Sequence, residues 1–113
     1  LTDAKIDKSG AIVKTEGFYK NIHAVDAAAN YQVVNNDYTL ILRTLSQTRT
    51  VLLPDPKTCT GRILVLWNGN RTNSISWMSN YDIYISPSTA TKTLVNGQNW
   101  QIQSDGYYWI KIN

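Results

Sequence analysis

The chain has little of the chemistry on which most metal sites and many enzymes depend. Of its 113 residues, one is cysteine (Cys59) and one is histidine (His23). A single cysteine excludes an internal disulfide and a cysteine-rich zinc site, and a single histidine excludes a histidine-rich one. We therefore expect Cys59 to be a small loop residue and His23 a structural residue, and we expect neither a cofactor nor a metal.

Long apolar runs and blocks of basic residues are also missing. No stretch approaches the ~18 apolar residues of a membrane-spanning helix, so we expect no membrane insertion. The 11 Lys and Arg residues give a formal net charge of +3 and are spread along the chain, which argues against nucleic acid as a partner. The chain begins at Leu1 with no signal peptide, and we expect it to be a fragment of a longer protein.

Aromatic residues are plentiful, but Trp and Tyr far outnumber Phe: there are four Trp and seven Tyr against one Phe. Trp and Tyr combine an apolar body with a polar group, which suits surfaces that are half buried or that contact a partner. A β-rich core accounts for part of this bias. The remainder favours a binding protein.

Apolar residues recur with the period of β-strands from residue 38 onward, and turn signals interrupt them at short intervals. Six or seven short strands without helical spacing predict an all-β fold, either an antiparallel β-sandwich or a small jelly-roll-like barrel. Residues 62–67 are apolar on both faces, which predicts a central strand buried on both sides. We expect residues 1–30 to form a neck or linker that leads into the domain and residues 31–113 to form the β-sandwich.

The end of the chain carries the clearest local pattern. Residues 100–103 and 107–112 both alternate, and Asp105-Gly106 lies between them. This predicts an antiparallel hairpin closed by a type I′ turn.

Acidic residues offer one candidate catalytic pair, Asp55 and Asp82, of the kind that glycosidases use. Asp55 lies between two prolines and Asp82 in an alternating strand. A turn-forming residue and an exposed strand residue are the simpler interpretation, so we expect no enzymatic activity.

Several motifs together resemble a known family. The first is a Tyr-x-Val opening (Tyr31, Val33, Val34, Asp37 and Tyr38), and the second is a Leu-Pro-Asp segment (Leu53, Pro54 and Asp55). The third is a Thr-x-Thr-Gly-Arg strand (Thr58, Thr60, Gly61 and Arg62), and the last is a Ser-Asp-Gly-x-x-Trp hairpin (Ser104, Asp105, Gly106 and Trp109). Over residues 31–113 the chain resembles the C-terminal head domains of bacteriophage tail fibres. Cys59 and the extra aromatic residues at 77–84 depart from the pattern.

The resemblance implies a homotrimeric receptor-binding tip, located on the virion and extracellular, that attaches to a glycan or protein of the host cell surface. Two alternatives remain: a head that trimerises and caps the fibre without touching the receptor, and a carbohydrate-binding module.

A receptor-binding surface is predicted in two parts of the chain, the loop of residues 68–73 and the segment of residues 77–84. Sugars are recognised by aromatic faces flanked by polar side chains, and these two parts together supply both. The candidate receptor-binding residues are Arg71, Asn73, Trp77, Asp82 and Tyr84. The competing interpretation places Trp77 in the core and Tyr84 in a subunit interface.

Overall fold

The computed structural model describes residues 5–6, 12–14, 17–26, 30–43, 48–69, 76–94 and 97–113, and these contain no α-helix. A three-stranded antiparallel sheet and a nine-stranded sheet account for the strands. The small sheet consists of Lys5–Ile6 (β1), Ile12–Lys14 (β2) and Gly17–Tyr19 (β3). The large sheet consists of Ile22–Val25 (β4), Tyr31–Gln32 (β5), Thr39–Leu42 (β6), Arg49–Leu52 (β7), Ile63–Asn68 (β8), Trp77–Ser86 (β9), Thr89–Leu94 (β10), Asn99–Ser104 (β11) and Trp109–Lys111 (β12). The all-β prediction is confirmed.

The large sheet is mixed rather than antiparallel, which corrects the expected strand arrangement. Its order is β4-β6-β8-β11-β12-β9-β7-β5, with β10 paired to β9. The β8–β11, β11–β12 and β9–β10 pairings are antiparallel. The other five described pairings of this sheet are parallel. Alternation along a strand shows which residues share a face, but it carries no information on the direction of the neighbouring strand.

The sheet divides in two along β9. Strand β10 follows one edge of β9, pairing with both Trp77 and Ile83. The opposite edge is shared, because β7 pairs with Trp77–Ser79 and β12 pairs with Ile83 and Tyr84. Residues 80–82 lie between these two partners, and the two branches of the sheet diverge there.

The free ends of the two branches come together again at β4 and β5. The ring of His23 meets the ring of Tyr31 edge-on at 5.1 Å between centroids. The Tyr31 hydroxyl donates to Asp37 at 2.7 Å, and the Nδ1 of His23 lies 2.9 Å from the same hydroxyl oxygen. The sheet therefore forms a nearly closed barrel whose last gap is bridged by side chains.

The core fills the barrel, and the burial of the residues of β8 shows which face of this strand points inward. Leu64 and Leu66 are fully buried, whereas Ile63 and Val65 are half-buried and Trp67 is 42% exposed. Strand β8 is central in the sheet, as predicted, but the expectation that both of its faces are buried is wrong. In a barrel one face of each strand points inward and the other outward.

One further expectation changes at the edge of the domain. Strand β4 pairs with β6 in the large sheet, so that sheet includes residues from the range 1–30 expected to form the neck. At the end of β8, Asn68 is buried and its side-chain amide donates to the carbonyl of Leu94 at 2.8 Å. Asn68 thus anchors the end of β8.

Candidate functional site

A pocket of about 370 Å³ lies where the two branches of the sheet diverge. Three segments that are distant in sequence line it: the loop after β7, the middle of β9 and the loop before β12. We call it the tyrosine pocket. Its lining residues are Asp55, Pro56, Lys57, Tyr81, Asp82, Tyr84, Tyr107 and Tyr108. The volume lies at the small end of the range for ligand sites.

The first wall, residues 53–57, is held in place by side chains from three strands. Asn80 continues the β7–β9 pairing, because its Oδ1 accepts from the Leu53 amide at 2.7 Å and its Nδ2 donates to the Leu53 carbonyl at 3.1 Å. The indole of Trp109 donates to the Pro54 carbonyl at 3.1 Å. Ser104 donates to the Pro56 carbonyl at 2.6 Å. Proline and these bonds make the wall rigid.

Asp55 fixes the local turn of this wall. Its Oδ1 accepts from the amide of Lys57 at 3.0 Å, where the short 3₁₀ helix Pro56–Thr58 begins. Its carbonyl accepts from the amide of Thr58 at 2.9 Å. One carboxylate oxygen of Asp55 is thus used for structure, as predicted for a turn-forming aspartate, while the other Oδ has no hydrogen bond within the described residues.

The second wall belongs to β9, which is irregular at this point. Thr91 of β10 is opposite Ile83 and Thr93 is opposite Met78, so four residues of β9 face one residue of β10. Inside this bulge the Ser79 hydroxyl donates to the carbonyl of Tyr81 at 2.5 Å. Adjacent residues of a regular strand point to opposite faces. A bulge removes that restriction, and Tyr81 and Asp82 both line the pocket.

The third wall is the loop between β11 and β12, and here the predicted hairpin is confirmed. Gln103 pairs with Ile110 and Ser104 with Trp109. The predicted type I′ turn is wrong, because Gly106 has a φ of +97° but Asp105 does not have a positive φ. Four residues, 105–108, form the loop. The extra length places two tyrosines at its tip.

Asp105 organises this tip. Its Oδ1 accepts from the amides of Tyr108 at 2.7 Å and Tyr107 at 2.8 Å, and both bonds lower the pKa of the Asp105 carboxyl. A Cβ at Gly106 would lie 3.0 Å from the Oγ1 of Thr60, so the loop lies close against the strand-free segment before β8. Tyr107 and Tyr108 remain 68% and 54% exposed.

The tyrosines form an accessible aromatic surface with unused polar groups. The rings of Tyr84 and Tyr108 lie 5.0 Å apart between centroids and are tilted by 51°. This pair follows from the β12–β9 register, in which Ile110 is opposite Tyr84. In the part of the chain that the structure describes, no hydrogen bond engages the hydroxyls of Tyr81, Tyr84, Tyr107 or Tyr108. They are free to meet a ligand.

The structure separates the five predicted receptor-binding residues. Asp82 and Tyr84 line the pocket together. Trp77 is fully buried at 0% exposure, so it belongs to the core and the prediction that it contacts a receptor is wrong. Arg71 and Asn73 lie outside the described residues.

Six pocket residues were not among the predicted receptor-binding residues: Asp55, Pro56, Lys57, Tyr81, Tyr107 and Tyr108. Asp55 was considered as a turn former and as a member of a candidate catalytic pair, and Tyr107 and Tyr108 were interpreted as strand residues. Adjacent tyrosines directly after Asp-Gly were a usable signal, because a turn displays its side chains to solvent.

Other chemistry is sparse among the described residues. They contain no group of three or more His, Cys, Asp and Glu side chains able to hold a metal ion. No helix in that part of the chain has the length and apolar character needed to cross a membrane. Cys59 is half-buried, and burial raises the pKa of its thiol.

No protein-family model, curated protein or solved structure matches this chain.

Proposed function

We propose that this chain is the receptor-binding tip domain of a bacteriophage tail fibre and that the tyrosine pocket attaches it to a glycan of the host cell surface. The tail-fibre assignment is supported by the sequence resemblance over residues 31–113. The location of the attachment site is supported by the pocket. As in the resembling family, the domain would act as a homotrimer outside the cell, on the virion.

One observation carries the choice of a glycan. Four tyrosines, two carboxylates and one ammonium group line a single pocket. Aromatic rings stack on the apolar faces of pyranose rings, while carboxylates and ammonium groups bond to the hydroxyls around them. A pocket lined in this way matches the alternating apolar and polar surface of a sugar.

The rigidity of the walls supports the same role. Asn80, Trp109 and Ser104 each bond to the backbone of the 53–57 wall. Asp105 holds the backbone that carries Tyr107 and Tyr108. A site that is ordered before binding loses less conformational entropy when the ligand arrives.

Substitution of the exposed ring at the rim tests this proposal. Tyr108→Ala should reduce binding to host cells or to immobilised host glycans by about 1–3 kcal/mol, which is typical of an aromatic hot spot. Its thermal stability should stay close to that of the parent because the ring is 54% exposed. Val34→Ala is the matched control, since Val34 is 47% exposed and lies outside the pocket. Full binding by folded Tyr108→Ala protein would remove the pocket from the attachment surface.

Glycoside hydrolysis is a second candidate function, favoured by the presence of Asp55 and Asp82 in one pocket. Such enzymes need one carboxyl group kept protonated by its surroundings and a second kept ionised. Both of these side chains are exposed, and Asp55 uses one carboxylate oxygen to hold the amide of Lys57, so we favour binding. Release of reducing ends from host polysaccharide, abolished in Asp82→Asn, would establish hydrolysis instead.

A further inference from the structure

We infer that the ligand of the tyrosine pocket carries a positively charged nitrogen, either the free amine of an amino sugar or a quaternary ammonium group. This inference rests on the pocket being the binding site proposed above, and it goes further by giving the charge of the group that the pocket selects.

The first argument is the charge of the lining. Two carboxylates, Asp55 and Asp82, are set against one ammonium group, Lys57. The pocket is therefore net negative on a chain whose formal net charge is +3. Binding sites are commonly complementary in charge to what they bind, and this lining complements a cation.

The second argument is that the carboxylate oxygens are available. Within the described residues Asp82 makes neither a hydrogen bond nor an ion pair. Asp55 uses one oxygen for the amide of Lys57 and leaves the other without a bond there. By contrast, Asp26 is paired with Arg43 at 2.6 Å, and Asp37 accepts from Tyr31 and from the amide of Val34. The pocket acids differ from these in having capacity left for a ligand.

The third argument is the arrangement of the rings. A cation is attracted to an aromatic face when it lies within about 6 Å of the ring centroid. Tyr84 and Tyr108 are 5.0 Å apart and tilted by 51°, so one cation can lie within that distance of both rings. Elsewhere in the chain such faces are already used, with Lys20 over Tyr38 at 5.3 Å and Lys111 over Trp100 at 5.9 Å. No cation of the described residues lies over a ring of the pocket.

Ligands that differ only in charge test the inference. Binding of glucosamine, N-acetylglucosamine, glucose and choline to the intact chain is measured by NMR titration at mildly acidic pH, where the amine of glucosamine is protonated. We expect glucosamine to bind more tightly than N-acetylglucosamine and glucose. Binding of choline would show that the positive nitrogen alone is recognised, and its absence would show that the sugar ring is needed as well.

Two variants that change the charge of the pocket in opposite directions serve as controls for each other. Asp82→Asn should weaken glucosamine binding by roughly threefold or more, because it removes an unpaired negative charge. Lys57→Gln should strengthen it, because among the described residues Lys57 supplies the positive charge of the lining. Neither change should alter the weaker binding of glucose by a comparable factor.

The outcomes separate this inference from the proposed function. If the neutral sugars bind as well as glucosamine and lose affinity in Tyr108→Ala, the pocket remains a glycan site and the inference of a cationic group is overturned. If no sugar and no choline perturbs the resonances of the pocket, both proposals fall.

Discussion

At the scale of single residues, the closure of the barrel depends on a short chain of hydrogen bonds. Tyr31 donates its one hydroxyl proton to Asp37, so the nearby Nδ1 of His23 must be the donor to the Tyr31 oxygen. Arg62 holds the same loop through the carbonyls of Val34 at 2.6 Å and Asp37 at 3.2 Å. A buried carboxylate is thereby kept satisfied where β4 and β5 meet.

The pH dependence of stability should report this contact. Burial, together with the hydrogen bond to Asp37 and its charge, raises the pKa of Tyr31 from 10.0 to about 12. The folded state therefore keeps the Tyr31 proton that the unfolded chain loses first. The stabilisation is complete below pH 10 and is lost as the pH rises towards 12. Tyr31→Phe should lower the free energy of unfolding at neutral pH by about 1–3 kcal/mol and flatten the alkaline decline.

Urea unfolding at several pH values measures both effects. Tyr107→Phe is the control, because Tyr107 is 68% exposed and its hydroxyl makes no hydrogen bond within the described residues. Identical alkaline limbs for the parent and Tyr31→Phe would contradict the assignment.

At the scale of one element, the two faces of β8 differ, because one points into the barrel and the other lies on its outer surface. Leu64 is fully buried and its neighbour Val65 is half-buried. Leu64→Ala should lower the free energy of unfolding by about 2–5 kcal/mol, because the cavity opens inside a packed core. Val65→Ala should cost clearly less. Chemical denaturation of the two variants gives the order directly, and a larger loss for Val65 would reverse the assigned faces.

Strand β9 is the element on which prediction of the site depended most. It is one strand, Trp77–Ser86. The alternation expected around Asp82 holds, since Ile83 is fully buried while Asp82 and Tyr84 line the pocket. Trp77 was misplaced because an aromatic side chain suits a core and a binding surface equally well. Only packing decides between them.

At the scale of the whole molecule, the open question is assembly. We propose a homotrimer, as the resemblance implies, and the outer face of the barrel offers an apolar contact. Trp67 of β8, 42% exposed, is directly opposite Ile41 of β6 in the sheet. Apolar pairs of this kind on an outer surface suit a subunit interface.

Light scattering at micromolar concentration should give the mass of three chains. Trp67→Lys should shift the protein towards a lighter species while the far-ultraviolet spectrum of the β-structure is kept, because Trp67 lies outside the core. A monomeric parent would overturn the trimer and favour the carbohydrate-binding module.

The β-structure and the last hairpin could be predicted from the sequence. Both follow from contacts between residues that are close in the chain: alternation sets the faces of a strand, and Asp105-Gly106 directs the chain back with Gln103 opposite Ile110. The exact turn did not follow, since a loop of four residues and one of two share the same Asp-Gly signal.

The tertiary structure decided which strands became neighbours, and with them the site. Parallel pairing of β7 and β12 to one edge of β9 brings three segments together. They are residues 55–57 of the first wall, residues 81–84 of β9 and residues 107–108 at the tip of the last hairpin. No local pattern encodes that meeting, because strand direction and order depend on how the whole barrel buries its apolar faces. Asp82 and Tyr84 could be predicted as a surface pair, but the tyrosines and the aspartate that complete the pocket could be placed only once the barrel had formed.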